Sequence, residues 1–347
     1  MKNASQASIL ENFNFQLLVR PNTGKYSMNT PQELTLALEH QIKGTKLANL
    51  KDDAQELSNR YRAEIGNGEP LITLNSEVVA YAAARMPATL QAVSFALKQV
   101  INSTSCDPKT MLDVGAGTGA AVWAAEQELD LKSITCLERQ DAMREVGSTM
   151  MQDGSPLLRN AKWMNEDLTS CSDLERADLV TASYVLNEMT DEDQIETAEK
   201  LWDATQMILL IIEPGTPVGF AHLKRIRQAL LKKGAYVAAP CTHNGECPMK
   251  ENDWCHFTCR VNRTQLHRQL KGGEAPFEDE KFSYMAFTRE KFSGQDARII
   301  RHPQIRKGHI MFEVCTSEGI KDITLSQRDK AKYKKARKAK TGDLLQY

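Results

Sequence analysis

The 347-residue sequence has no long apolar run; stretches such as Met207 to Ile212 fall far short of the roughly 18 residues that span a bilayer. Its start, MKNASQASILENFNF, lacks a basic segment followed by an apolar stretch, so no secretory signal is read there and a cytoplasmic address is expected. Neither sign of charge dominates, with 44 Lys+Arg against 45 Asp+Glu. Hydrophobic residues at 41% and charged residues at 26% exclude a disordered chain, a collagen and a disulfide-stapled miniprotein. Internal repeats and low-complexity linkers are also missing.

What is there is unevenly spread. From residue 240 onward there are 21 basic and 14 acidic residues, against 23 basic and 31 acidic before it. An acidic front and a basic back suggest a polyanionic partner for the C-terminal part, although many solvated surfaces are lopsided by this much. Of eight cysteines, Cys106, Cys136 and Cys171 are scattered, and five lie at Cys241, Cys247, Cys255, Cys259 and Cys315. A reducing cytosol disfavours a disulfide framework, so clustered thiols point first to a metal or a cluster.

Residues 1–101 read as a helical N-terminal region. PQELTLALEHQI sets Leu34, Leu36, Leu38 and Ile42 at mostly helical spacing behind Pro31, further helices follow around 51–64 and 76–101, and Asn75 or Ser76 offers a cap. Strands then alternate with helices: TMLDVG, SITCLE, AKWMNED, ADLVTASYVL, MILLIIEPG and AYVAAPC are strand-like, with helical patterns between most of them. That rhythm indicates βαβ units around a mostly parallel sheet, here placed at 102–240. Residues 241–316 read as a cysteine-rich insertion followed by antiparallel strands around 282–288, 297–302 and 308–315. Residues 317–347 read as a basic tail, because Arg328 to Lys340 holds eight Lys+Arg and one Asp.

The segment LDVGAGTGAAVWAA lies between a strand and a helix. Gly115, Gly117 and Gly119 allow a tight turn and close approach of a ligand, and the helix start offers free N–H groups. Its G-x-G-x-G spacing is too short for the dinucleotide fingerprint. It resembles motif I of S-adenosylmethionine-dependent methyltransferases, whose strand ends in an acidic residue, here Asp113. A carboxylate there would repel a pyrophosphate but suits the cationic methionyl part of that cofactor. Glu138 ends the second strand and can accept both ribose hydroxyls, and Asp167 follows the third, where the methyltransferase fold contacts adenine. Asp113, Gly115, Ala116, Gly117, Gly119, Glu138, Asp167 and Tyr184 are the expected cofactor-binding residues. A strand-end carboxylate alone more often just faces water, but three in succession favour a cleft.

Catalytic residues are not legible. The fourth strand is followed by SYVLNEM, without the Pro-Pro-aromatic signature of amino-nitrogen methylation. Cys241 after Pro240 imitates the nucleophile of cytosine carbon-5 methylation, but a thiolate that ligates a metal is a poor nucleophile. Tyr184, Asn187 and Glu188 either line a reacting pocket or pack a strand end.

APCTHNGECPMKENDWCHFTCRVNRTQLHR contains C-x5-C-x7-C-x3-C, which is neither a tandem C-x2-C zinc pattern nor a radical-enzyme pattern. Four soft thiolates suit zinc or an iron–sulfur cluster, and spacing alone would choose Cys259 as the fourth.

Together the segments YAAARMPAT, LDVGAGTGAA, SYVLNE, IEPGTPVGF, APCTHNGECP, DWCHF, FEDEKFSYMAF and RKGHIMFEVCT, spanning residues 81–316, make the chain similar to the bacterial relatives of mitochondrial methyltransferase-like protein 17. That resemblance implies a Rossmann-like α/β methyltransferase fold, a cysteine-ligated [4Fe–4S] cluster, and small-subunit (16S-type) ribosomal RNA as partner during assembly. It also implies Cys241, Cys247, Cys255 and Cys315 as ligands, in place of Cys259. The resemblance supplies no reaction, so an rRNA methyltransferase and a non-catalytic assembly factor both stay open, with a metal-dependent redox sensor more distant. For RNA, one basic face is expected from Arg260, Arg263 and Arg268, from Arg301, Arg306 and Lys307, and from the lysines of 328–340. The bland alternative for the tail is a solvated lysine-rich helix.

Overall fold

The computed structural model describes residues 30–63, 75–168, 171, 173–271, 273–292 and 296–346. The N-terminal expectation for 1–29 and 64–74 lies outside the described residues. Three helices come first: α1 (Gln32–Ile42), α2 (Leu47–Ala63) and α3 (Asn75–Ser103). Helix α3 is rich in alanine, and Ala80, Ala82, Ala83, Ala88, Ala92 and Ala96 are all buried. Small side chains let it lie close to its neighbours, and it packs against α2, the sheet and the helices that follow.

A large sheet is built from β1 (Thr110–Val114), β2 (Ser133–Leu137), β3 (Lys162–Met164), β4 (Ala177–Ser183), β5 (Thr205–Pro214), β6 (Tyr236–Ala239), β7 (Phe257–Asn262) and β8 (Phe277–Thr288). Its order is β3-β2-β1-β4-β5-β8-β6, and β7 also pairs with β8. The first five strands are parallel, and β8 runs antiparallel to β5, β6 and β7. Order reverses between β1 and β4, which opens a crevice at their carboxyl ends. This is the Rossmann-like methyltransferase architecture, with the antiparallel strand supplied from the cysteine-rich half.

Both faces of the sheet are covered, so its inner strands are continuous apolar runs instead of alternating ones. Along β5, Ile208, Leu210 and Ile212 join the core beneath α3, α4 (Ala120–Glu128) and α5 (Asp141–Met151). Leu209 and Ile211 point the other way, onto Trp202 of α7 (Asp191–Ala204) and Leu223, Ile226 and Leu230 of α8 (Pro217–Lys232). A short α6 (Pro156–Arg159) precedes β3, and α9 (Gln265–Lys271) follows β7. Phe95 of α3 meets Phe257, Phe282 and Tyr284 of β7 and β8 with ring centroids 5.4–6.3 Å apart, fixing the helix over the antiparallel edge.

Residues 317–347, read from sequence as a tail, carry ordered elements. A second sheet contains β9 (Asp296–Ile299), β10 (Gln304–Arg306), β11 (His309–Thr316), β12 (Gly319–Ser326) and β13 (Leu344–Gln346), with α10 (Lys330–Ala336) against it. Strand β12 pairs with β11 along its whole length, and β13 pairs with β9. The lysines obscure an apolar set, Ile323, Leu325, Ala336, Ala339 and Leu345, that closes on Ile299, Ile310, Phe312 and Val314. Buried Arg298 of β9 ties this sheet to the rest. It donates to Pro240 O (2.8 Å), Gln99 Oε1 (2.8 Å), Gly342 O (2.8 Å) and Ser103 Oγ (3.0 Å).

Leu345→Ala tests that β13 is part of the core. Leu345 is fully buried, so the truncation should cost about 2–5 kcal/mol in urea unfolding, whereas an unstructured tail would lose nothing.

Candidate functional site

The glycine loop connects β1 to α4 at the crevice. Gly115 has φ +64°, and a Cβ there would lie 2.4 Å from Val185 Cγ2. Gly117 has φ +54° with nothing within 4 Å of a built Cβ, so its backbone faces open space. Above the loop, Thr118 Oγ1 donates to Met86 Sδ of α3 at 3.6 Å. The resulting cleft has a volume of about 310 Å³, within the range of small-ligand pockets.

All eight sequence-expected cofactor residues except Gly119 line this cleft. Gly119 sits behind them as the left-handed N-cap of α4. The Glu138 carboxylate is fixed from both sides, Oε2 accepting from Gly117 N (2.8 Å) and Oε1 from Gln140 N (2.9 Å). Each oxygen keeps a second lone pair for a ligand hydroxyl. Asp113 is buried; its Oδ1 accepts from Thr181 Oγ1 at 2.6 Å, while Oδ2 is buried with no hydrogen-bond partner. Burial raises its pKa to about 7, the Thr181 bond opposes that, and Glu138 adds to it. Asp167 stands at the rim, 3.8 Å from Arg139. Tyr184 holds φ +60°, uncommon for a non-glycine residue. Its hydroxyl donates to Glu280 Oε1 at 3.2 Å, an oxygen that also accepts from Arg85 at 3.4 Å.

Glu188 lines the cleft, and burial pushes its carboxyl up, partly offset by Arg139. Asn187 is not among the lining residues. Sequence reasoning missed Tyr81, Met86 and Thr89 of α3, which roof the cleft. Their segment, YAAARMPAT, is distinctive, yet only the packing of α3 over the loop gives it a place in the site. Six carboxylates line the cleft, from Asp113, Glu138, Glu166, Asp167, Glu188 and Asp193, against the single guanidinium of Arg139. Such a field favours cations and opposes polyanions.

A second site lies where the two sheets meet. Cys241, Cys247 and Cys255 come from the connection between β6 and β7, Cys315 comes from β11, and all four line one cavity of about 20 Å³. Cys259 is elsewhere, on β7 opposite Glu280, and burial followed by that carboxylate pushes its thiol up. Burial first, then the neighbouring cysteines, raises Cys315 to about 12 and Cys255 well above its usual range. His243, missed from sequence, places Nε2 3.9 Å from Cys315 Sγ.

Among the described residues, no three His, Cys, Asp or Glu side chains are grouped so as to hold one metal ion. One tetrahedral ion would draw four sulfurs to about 2.3 Å of a point. Four soft donors suit a thiolate-held group. The cavity is only water-sized, so a larger group requires the connection between Cys241 and Cys255 to move outward. Only turns and coil occupy that connection.

Three arginines of the expected basic face are ion-paired. Arg260, Arg263 and Arg301 pair with Asp279 (3.0 Å), Glu278 (2.7 Å) and Asp253 (2.6 Å). Arg306 and Lys307 remain exposed at the β10–β11 turn. Gln327 N donates to Gly308 O at 2.9 Å, which brings Arg328 and Lys330 beside that turn.

The sequence pattern of the family described as mitochondrial small ribosomal subunit Rsm22 matches residues 75–346. The chain belongs to this family. Among curated relatives, the human "Ribosome assembly protein METTL17, mitochondrial" is 27% identical over 291 residues, covering 76% of this chain and 61% of that protein. "Rsm22-cox11 tandem protein 2, mitochondrial" of Schizosaccharomyces pombe is 25% identical over 329 residues, covering 77% of this chain and 43% of that protein. The chain thus spans less than two thirds of either relative. Among solved structures, magnesium protoporphyrin IX methyltransferase from Synechocystis PCC 6803 with bound SAM aligns with a TM-score of 0.40 and 12% identity, over 75% of this chain and 99% of that one. No helix among the described residues is long and apolar enough to cross a membrane.

Asp113→Asn should stabilise the ligand-free protein increasingly as pH rises. The unfolded carboxyl ionises near 3.8 and the folded one near 7. Between those values the unfolded state has released the proton that the folded state keeps, so wild-type stability falls with pH. Melting curves should coincide near pH 4, apart from any fixed offset, and diverge up to about pH 7.

Proposed function

We propose that this protein binds S-adenosylmethionine in the sheet-end cleft, holds a [4Fe–4S] cluster on Cys241, Cys247, Cys255 and Cys315, and acts on the small ribosomal subunit as an RNA-binding assembly factor. The cofactor reading rests on one observation above others: a carboxylate held by two backbone N–H groups stands beside the glycine loop, next to a buried, unpartnered carboxylate oxygen. Glu138 presents acceptors for two ribose hydroxyls. Asp113 Oδ2 lacks a donor, and the cationic amino group of the methionyl moiety supplies one. Asp167 at the rim suits the adenine amino group.

For the metal, the donor chemistry and the segregation of Cys259 support the family ligand set. A bound cluster contributes a cross-link between the β6–β7 connection and β11, joining the second sheet to the core.

Family membership and the relative's description as a ribosome assembly protein support the ribosomal role. The exposed cations at the β10–β11 turn and along α10 support phosphate binding at the end of the second sheet. The acidic cleft favours the factor over the RNA methyltransferase, since a polynucleotide entering it meets six carboxylates. Methyl transfer keeps one supporting observation, the strained Tyr184 and half-buried Glu188 lining the same cleft, where an acceptor would meet the cofactor. Labelled cofactor incubated with small-subunit particles separates the two readings; the factor predicts no transfer.

Glu138→Ala should remove two charge-assisted hydrogen bonds, each worth roughly 1.5–3 kcal/mol. Calorimetric titration with S-adenosylmethionine should show affinity at least about tenfold weaker; equal affinity would exclude Glu138 from the contact.

Reversing Lys307 and Lys330 to Glu should weaken binding to small-subunit RNA. The slope of log affinity against log salt should fall by about 0.7–0.9 for each lysine–phosphate pair removed. An unchanged slope would remove this turn from the binding surface.

A further inference from the structure

Arg227, on α8, is only 2% exposed and forms part of the wall around Cys241, Cys247, Cys255 and Cys315. Its Nη2 donates to His243 O (2.9 Å) and Gly245 O (2.7 Å), carbonyls of the cysteine connection itself. Its Nε is buried with no hydrogen-bond partner. Among the described residues it forms no ion pair with a carboxylate. Nearby positive charge is not limited to this residue. Lys224, one turn earlier on α8, also lines the cavity, and the charge of buried Arg298 reaches Cys241 and Cys315. Arg298 has a partial counter-charge, because its field reaches Asp343. Arg227 has none.

A buried guanidinium without a counter-ion is unfavourable, and a buried donor without an acceptor adds to that. Neutral thiols relieve neither. Four thiolates around a metal relieve both, since their charge outweighs that of a zinc ion or an oxidised cluster core, and their sulfurs accept hydrogen bonds. Partners one step removed from the ligands commonly fix metal sites in this way.

We propose that Arg227 is the counter-charge and hydrogen-bond donor of a thiolate-held metal group on these four cysteines. This rests on the reading of the cysteines as a metal site. Arg227 is a positioning residue, acting through the sulfurs, and its effect has opposite signs in the two states. In the metal-free protein its charge is uncompensated, so Arg227→Gln leaves stability unchanged or raises it. In the loaded protein the same change removes the counter-charge and weakens retention.

The test uses full-length wild type, Cys315→Ser, Cys259→Ser, Arg227→Gln and Arg227→Lys, each reconstituted anaerobically with ferrous iron and sulfide. Bound iron and sulfide, resistance to a chelator, melting temperature with and without metal, and midpoint potential are then measured. Wild type and Cys259→Ser should load, and Cys315→Ser should not. Arg227→Gln should lose metal about 10- to 100-fold more readily while melting no lower than wild type when metal-free. Its loaded form should be harder to reduce, because the added electron meets one positive charge fewer, and Arg227→Lys should recover most of both effects. Equal retention and equal potential in Arg227→Gln would overturn the proposal. So would a large drop in its metal-free melting temperature, which would make Arg227 a clamp for the His243 and Gly245 carbonyls. If wild type takes up neither iron nor sulfide, the metal reading fails and Arg227 loses its role with it. Loading of wild type together with an indifferent Arg227→Gln refutes the arginine alone.

Discussion

Burying a guanidinium is tolerated only where its N–H groups find acceptors, and Arg298 meets that demand with atoms from four segments. Gln99 and Ser103 come from the end of α3, Pro240 from the start of the cysteine connection, and Gly342 from the turn before β13. None of those segments can shift far without stranding a donor in a dry interior. The second sheet is held by this knot and by the apolar contact of Ile300 and Cys315 with Phe220 and Met249. Helix α3 takes part at both ends, since its C-terminal turn meets Arg298 and its N-terminal half roofs the acidic cleft. Helix α3 thus links the acidic cleft, through Arg298, to the start of the cysteine connection.

Features whose chemistry is local were legible in the sequence. The glycine loop, the strand-end acids Asp113, Glu138 and Asp167, and the alternation of strands and helices each depend on a few neighbouring residues. Their signal survives without knowledge of the fold. The choice between Cys315 and Cys259 was different, because spacing favoured Cys259 and only the family resemblance pointed to β11. What stayed hidden depends on contacts between distant residues. Strand β7 was disguised by its cysteine and arginine, and its partner β8 explains both: Cys259 lies opposite Glu280 and Arg260 opposite Asp279. A sequence count of basic residues cannot see that Arg260, Arg263 and Arg301 are neutralised by carboxylates from other segments. Likewise the tail lysines concealed Ile323, Leu325 and Leu345, whose apolar partners lie on other strands.

The two sites solve opposite electrostatic problems. In the cleft, negative charge is concentrated and one carboxylate oxygen is left without a donor. Around the cysteines, positive charge is concentrated and one guanidinium nitrogen is left without an acceptor. Each is unfavourable for the protein alone, and local conflicts of this kind with good packing concentrate at functional sites.

The contribution of β11 to the cysteine pocket has a consequence for the order of events in folding. Three thiols lie within one connection, while the fourth lies far along the chain, beyond α9, β8 and β9. During vectorial synthesis the first three emerge together, and the site stays incomplete until the second sheet has formed and docked. A bond network joining Cys255 to Cys315 would close a long chain loop, and the entropy of closing it would be borne by sheet formation beforehand. Occupancy of the site would then report that the fold is finished.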